Sequence, residues 1–256
     1  MKSSIFVLIV MFLLSGCSDF LDVTPKDKQT SEQLYRTKNG FYTVANGIYD
    51  GLSSVELYGQ QMSWEAIDIM SKRYVTTKAS LKFKDLCSNN YSSTYVSPVF
   101  TSIWKKAYEL IMAANLLIEQ VEQQHGILTE QEANLMKGEM LAVRAFLHLD
   151  MARLFGPCWD NNPDALSIPY HESTEVTTLP LLSFSTVMEK IIRDFNDAEV
   201  LLADDPVITS GPLASSVEGE SVQLRYRQFR FNYYSVIALK ARAYLWGGNK
   251  ESALVE

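Results

Sequence analysis

The chain has 256 residues, enough to bury a substantial core as one large domain or two small ones. Its 30 acidic and 23 basic side chains leave a net charge of −7, which argues against a nucleic-acid role, since that would want a basic face. Cys17, Cys87 and Cys158 form no CxxC or zinc-ligand spacing, and His125, His148 and His171 are too scattered for a metal site.

The N-terminus reads as an address. Lys2 precedes an apolar run, Ile5 to Leu14, too short to span a bilayer, which needs about 20 residues. The run ends in Leu14-Ser15-Gly16-Cys17, a lipobox: small residues before a cysteine that is acylated and becomes the new first residue. Residues 1–16 are therefore expected to be a removed lipoprotein signal peptide, and residues 17–30 a tether carrying fatty acid, palmitate included, on Cys17. Asp22-Val23-Thr24-Pro25-Lys26 is extended chain, since proline keeps the preceding residue out of a helix. Residues 31–256 form the helical part.

Ser31 is the expected cap of a helix running through Leu34 and Phe41 to about Tyr49, with Asp50-Gly51 as a turn. Residues 52–99 have poor periodicity, apart from a short helix near Trp64 to Met70. The stretch then turns polar and aromatic, with Arg73, Tyr74, Asn89, Asn90, Tyr91 and Tyr95. These six are the candidate ligand-binding residues. Tyrosine offers a ring face to the C–H surface of a sugar, while amide and guanidinium suit its hydroxyls. Loops held by a rigid scaffold are where such chemistry collects.

Two long helices follow, from Phe100 and from Thr129. In the first, Ile103, Ala107, Leu110, Ala114, Leu117 and Val121 recur at four and three, widened by Trp104, Ile111 and Ile118. His125-Gly126 marks the turn. Thr129-Glu130-Gln131-Glu132 is a capping box, and the second helix stops at Gly156-Pro157. That helix is apolar on more than one side, so it is expected to lie between neighbours. Lys137, Arg144 and His148 read as its polar stripe.

Residues 159–182 are turn-rich and extended, a crossing that either has a function or packs along the scaffold. A third helix begins near Ser185 or Thr186, carries Val187, Ile191, Phe195, Ala198 and Leu202 on one face with Asp194 and Asp197 off it, and ends at Asp204-Asp205-Pro206. Arg227, between Tyr226 and Phe229, is placed to stack or to pair with acidic neighbours. A fourth helix runs from Asn232 to Gly247-Gly248, and another starts at Lys250. The sequence stops inside it, so a truncated chain is expected. Arg144-Ala145-Phe146-Leu147 is echoed by Arg242-Ala243-Tyr244-Leu245, each late in the second helix of a pair, as in tetratricopeptide-like packing with long insertions.

With these residues in view the chain resembles the N-terminal part of a SusD/RagB-type outer-membrane lipoprotein. The resemblance rests on Gly16 to Asp22, on Trp104 to Asn115 with Tyr108 and Ala114, and on Gly138-Glu139 leading to Ala142 through Phe146. It rests also on Leu154-Phe155-Gly156, Ile168-Pro169-Tyr170 and Ala238 through Trp246. It implies an all-α fold of tetratricopeptide-like pairs with long irregular loops, incomplete at the C-terminus. It further implies a SusC-like TonB-dependent transporter as partner, and capture of an extracellular nutrient, commonly a glycan, on a loop-rich side.

No G-x-S-x-G, P-loop or dinucleotide fingerprint is present, and Glu65 with Asp68 is a common solvated-helix spacing. No enzyme, cofactor or metal is expected. The leading reading is a lipid-anchored protein of the outer membrane, facing the exterior, that binds an oligosaccharide and hands it to a transporter. The alternative is a helical adaptor of the envelope with no small-molecule ligand. Cys87 and Cys158 are either bonded to each other or free and buried, free being commoner for isolated cysteines.

Overall fold

The computed structural model describes residues 31–74, 80–159, 162–212 and 222–256; the expected signal peptide, Cys17 and its tether lie outside them. The architecture is all-α. The helices are α1 (Ser31–Leu34), α2 (Lys38–Leu52), α3 (Ala66–Met70), α4 (Leu81–Cys87), α5 (Ser97–Glu122), α6 (Glu130–Phe155), α7 (Phe184–Leu201), α8 (Pro206–Ser210), α9 (Tyr233–Trp246) and α10 (Lys250–Val255). Short 3-10 turns at Val222–Leu224 and Arg227–Phe229 lead into α9. Among the described residues, β structure is confined to one isolated antiparallel bridge, Leu166 to Ser183.

The long helices stack in series: α2 on α5, α5 on α6, α6 on α7, α7 on α9 and α9 on α10. This is the arrangement of helical pairs that the periodicity predicts. The stripe of α5 is buried as expected, from Ile103 through Val121. In α6 the capping box forms: the Thr129 hydroxyl accepts from the Glu132 N–H at 3.2 Å, and the Glu132 carboxylate accepts from the Thr129 N–H at 3.0 Å. α6 is buried almost all round, because α5 and α7 cover opposite sides. Close approach there needs Gly138, where a Cβ would lie 2.9 Å from Leu202 Cγ and 3.2 Å from the Ala198 carbonyl oxygen.

Several boundaries differ from expectation for local reasons. The first helix is split: α1 is one turn, and α2 starts behind Thr37, whose hydroxyl accepts from the Gly40 N–H. Gly40 permits the split, since a Cβ there would meet the Leu34 carbonyl oxygen. Asp50-Gly51 is not a turn; α2 continues to Leu52, with Gly51 facing Leu110 of α5. α4 forms in the stretch without periodicity, capped by the Ser80 hydroxyl. α5 starts at Ser97 with Pro98 in its first turn, a position that needs no amide donor. α7 is capped by Ser183, two residues before the expected Ser185, through the Thr186 N–H at 3.2 Å. Beyond Leu201 the chain forms α8, capped by Asp205 through the Val207 N–H at 3.0 Å.

The largest corrections concern polar residues. His148 is not on a solvated stripe: it is fully buried, and Arg144 nearly so. Asp194 lies off the apolar row of α7 yet is also fully buried. Glu65 is buried too, held by Lys82, Gln60 and Gln61, while Asp68 turns to Arg73, so the two carboxylates do not converge on one site. Arg227 pairs with acids, donating to Asp205 from Nε at 3.0 Å and from Nη2 at 2.8 Å, and to Glu139 from Nη1. Cys87 and Cys158 are free, but Cys87 is only half-buried and Cys158 is exposed.

Candidate functional site

An aromatic groove of about 540 Å³ lies where the first turns of α5 meet the last turn of α6. Its lining comes from Met70 at the end of α3, Tyr91 after α4, Ser97, Phe100, Thr101 and Trp104 on α5, and Leu154 and Phe155 on α6. Phe100 and Trp104 are one helical turn apart and so share a face. The rings interlock edge to face: Tyr91 on Phe100 at 5.4 Å between centroids, Phe100 on Phe155 at 6.2 Å and Trp104 on Phe155 at 5.0 Å. Trp104 also lies against Tyr108 at 4.6 Å. Such pairs are preferred by the ring quadrupole, and they hold each ring at a set angle while leaving part of its surface open. Polar groups are few, the hydroxyls of Ser97, Thr101 and Tyr91. A volume of this size lies within the usual range for ligand sites, about 300 to 1,000 Å³.

Of the six residues singled out by sequence, Tyr91 lines the groove. Asn89 sits beside it in a left-handed conformation, φ 58°, which asparagine tolerates better than most residues, and the turn brings Tyr91 back over α5. The Tyr91 hydroxyl donates to Asn89 Oδ1 at 3.4 Å. Asn90 and Tyr95 are exposed on the same α4–α5 connection but do not line the groove. Arg73 and Tyr74 belong to a separate flank: Arg73 pairs with Asp68 at 3.5 Å, and the Tyr74 hydroxyl donates to the Trp64 carbonyl at 3.2 Å. Sequence reasoning missed Met70, Phe100 and Phe155 and placed Trp104 in the core. The available signal was Trp104 itself, a large ring at the edge of the α5 stripe.

A buried polar seam fixes the scaffold behind the groove. The extended segment after Leu166 packs along the helices: Ile168 and Tyr170 are buried, and the Pro169 carbonyl accepts from the Tyr108 hydroxyl at 2.8 Å. Burial raises the Tyr108 pKa, so that hydroxyl stays protonated and donates. Asn115 Nδ2 donates to the carbonyls of His171 and Ser173, at 3.1 and 3.0 Å. Arg144 grips Asp194 through Nε and, at 2.9 Å, through Nη2, and its Nη1 donates to Asn115 Oδ1 at 2.9 Å. The Tyr170 hydroxyl donates to Asp194 at 2.7 Å. Burial works to raise the Asp194 pKa, but hydrogen bonds and charge from Arg144, with Tyr170 and Arg193, outweigh it and keep the carboxylate ionised.

His148 stacks on Tyr170 at 3.8 Å. Its Nδ1 lies 2.9 Å from the Arg144 carbonyl oxygen, and its Nε2 accepts from the His171 N–H at 3.1 Å. Only the neutral tautomer with the proton on Nδ1 satisfies both bonds. Burial pushes its pKa down to about 3, with the Arg144 charge adding to the effect. The seam is thus positioning structure: the side chains of Asn115, Arg144, His148, Tyr170 and Asp194 are hydrogen-bonded to one another or to the segment after Leu166.

Among the described residues, no group of three or more histidine, cysteine, aspartate or glutamate side chains is arranged to hold a metal ion. Nor is any described helix long and apolar enough to cross a membrane.

Residues 19–217 match a SusD-like family model described as "Starch-binding associating with outer membrane". SusD-like protein P38 of Formosa agariphila is 23% identical over 253 residues, 96% of this chain and 42% of that protein. A SusD superfamily protein of Bacteroides thetaiotaomicron superposes with a TM-score of 0.65 at 19% identity, over 86% of this chain and 46% of its own. A SusD-like carbohydrate binding protein of Bacteroides vulgatus gives 0.61 at 22% identity, over 86% and 43%. The chain therefore spans under half the length of the relatives it matches.

Proposed function

The chain belongs to the SusD-like family, and on that premise we propose that it forms part of a surface lipoprotein that captures an oligosaccharide without turning it over. In this reading Cys17 carries the acyl anchor in the outer membrane, the body faces the exterior, and a SusC-like TonB-dependent transporter receives the nutrient. The observation that supports it is the groove, where four rings from the α4–α5 connection, α5 and α6 expose flat apolar surface around a few hydroxyls. Sugars present C–H faces to aromatic rings, and ring surfaces held in place by their neighbours bind without an ordering cost. Arg73, Tyr74, Asn90 and Tyr95 then serve as an outer rim that meets a longer glycan, with Asn89 orienting Tyr91.

Calorimetry of the whole protein against a panel of glycans tests this. Heat is expected with one glycan class, abolished by Tyr91→Ala and by Phe155→Ala with the fold intact. Absence of heat across the panel rejects capture and leaves the adaptor reading, which the predominantly apolar groove lining also fits. Purification from membranes is expected to bring a large barrel protein with it, and labelled palmitate is expected on Cys17 and not on Cys17→Ser.

A further inference from the structure

A second cavity, about 320 Å³, lies next to the aromatic groove and is lined by Tyr58, Met62, Ile67, Phe146, Asp150, Arg153, Leu154 and Arg242. The two spaces share Leu154, and each is bordered by α3, through Ile67 here and Met70 there. Its chemistry is different. Two guanidinium groups meet one carboxylate: Arg153 Nη1 donates to Asp150 Oδ1 at 2.7 Å and Arg242 Nη2 to the same oxygen at 2.9 Å, while the Tyr58 hydroxyl donates to Oδ2 at 2.9 Å. The Asp150 side chain is 5% exposed, against 35% and 41% for Arg153 and Arg242. The acid is therefore sealed in the wall, and the two bases stand at the opening.

Each guanidinium carries five N–H donors, and one from each reaches Asp150. With Asp150 ionised, the lining residues sum to one net positive charge, in a protein whose net charge is −7. The rest of the cavity is apolar, with Phe146, Met62, Ile67 and Leu154. Phe146 is held by Tyr58 at 4.9 Å and Arg153 by the Trp246 ring at 5.1 Å, so the cavity keeps its shape without an occupant.

We propose that this cavity is a subsite for an anionic sugar unit, a uronate or sulfated residue of a glycan whose neighbouring units occupy the aromatic groove. The acidic group meets Arg242 and Arg153, and the apolar face of its ring meets Phe146 and Leu154. Guanidinium suits this task because its planar fork matches carboxylate and sulfate oxygens. The Asp150 carboxylate orients both forks: a neutral sugar can accept single hydrogen bonds from them, whereas a carboxylate or sulfate adds the attraction of opposite charges. The proposal rests on the capture reading above and names the class of glycan captured.

The test is binding of the whole protein to paired acidic and neutral oligosaccharides, with oligogalacturonates and chondroitin sulfate fragments against cello-, xylo- and malto-oligosaccharides. Calorimetry of the strongest binder follows at low and high salt. The expected binder is acidic. Arg242→Gln weakens it about tenfold, the size of one charge-assisted hydrogen bond. Arg242→Lys recovers only part of the loss, since it restores the charge without the fork, and high salt weakens the unsubstituted protein. Melting temperatures of both variants separate loss of binding from loss of fold. A neutral strongest binder overturns the proposal and spares glycan capture, as does an acidic one indifferent to salt and to Arg242→Gln. Retention of no glycan overturns both.

Discussion

Arg144-Ala145-Phe146-Leu147 on α6 and Arg242-Ala243-Tyr244-Leu245 on α9 repeat one pattern in different surroundings. The alanines are alike: both are fully buried. The leucines diverge, Leu147 fully buried and Leu245 58% exposed. The arginines diverge in kind. Arg144 is enclosed and gives Nε and Nη2 to Asp194 and Nη1 to Asn115, whereas Arg242 reaches Asp150 from the rim of a cavity. Four residues further on, His148 is locked between two backbone groups, while Trp246 lies under Arg153. The difference teaches that the small residue is the packing device, and that the arginine takes its role from how many elements surround it. α6 has α5, α7, α9 and the extended segment after Leu166 around it; α9 has α7, α10 and, through a smaller contact, α6.

The comparison breaks most easily at the arginines. Arg144→Ala leaves Asp194 buried and ionised without its main partner, and is expected to cost about 3 to 5 kcal/mol in urea unfolding. Arg242→Ala leaves Asp150 with Arg153 and Tyr58, and is expected to cost about 1 kcal/mol or less. Equal costs would mean that burial does not separate the two.

A smaller effect, expected to be shared, comes from the alanines. Ala145→Leu and Ala243→Leu each force extra volume between packed helices, for about 1 to 3 kcal/mol apiece. A harmless Ala243→Leu would show that α9 is not held against α7 as closely as α6 is.

Next comes an acid sensitivity that the α6 repeat carries through His148 and the α9 repeat, with Trp246 at the matching position, does not. His148 is held neutral to about pH 3 in the fold, against an ordinary value of 6.5. Below 6.5 the unfolded chain binds the extra proton, so this contribution to stability is complete above 6.5 and falls as pH drops towards 3. The expected slope is about 1 kcal/mol per pH unit, and His148→Gln is expected to flatten it in urea midpoints measured between neutral and mildly acidic pH. Asp194, held below the ordinary range, adds a loss at still lower pH, while Asp150, raised chiefly by its burial, acts in the opposite direction. A variant slope as steep as the original would place the acid sensitivity elsewhere.

The long helices are legible because their causes are local. The α5 stripe, the Thr129 box and the Gly156 stop each depend on residues within a turn or two of one another, whereas the caps expected at Ser31 and Ser185 fall instead on Thr37 and Ser183. α4 escaped because seven residues carry too little periodicity to be read. The helix boundary near residue 37 escaped because it depends on the Leu34 carbonyl folding back onto Gly40. The candidate site was half legible. Tyr91 and Asn89 stood out as loop chemistry, whereas Trp104 read as core and Phe100 and Phe155 as helix ends, because an apolar residue on a helix looks the same whether a neighbour covers it or not.

The amino-acid sequence alone determined that the chain is a set of amphipathic helices, since helix formation, capping and apolar periodicity operate over three or four residues. Tertiary structure alone decided that His148, Asp194 and Glu65 are interior, that Arg227 closes on Asp205 and Glu139, and that rings from α5, α6 and the α4–α5 connection share one groove. A polar side chain becomes a core residue only when partners from distant parts of the chain surround and satisfy it. No local pattern records which partners those will be.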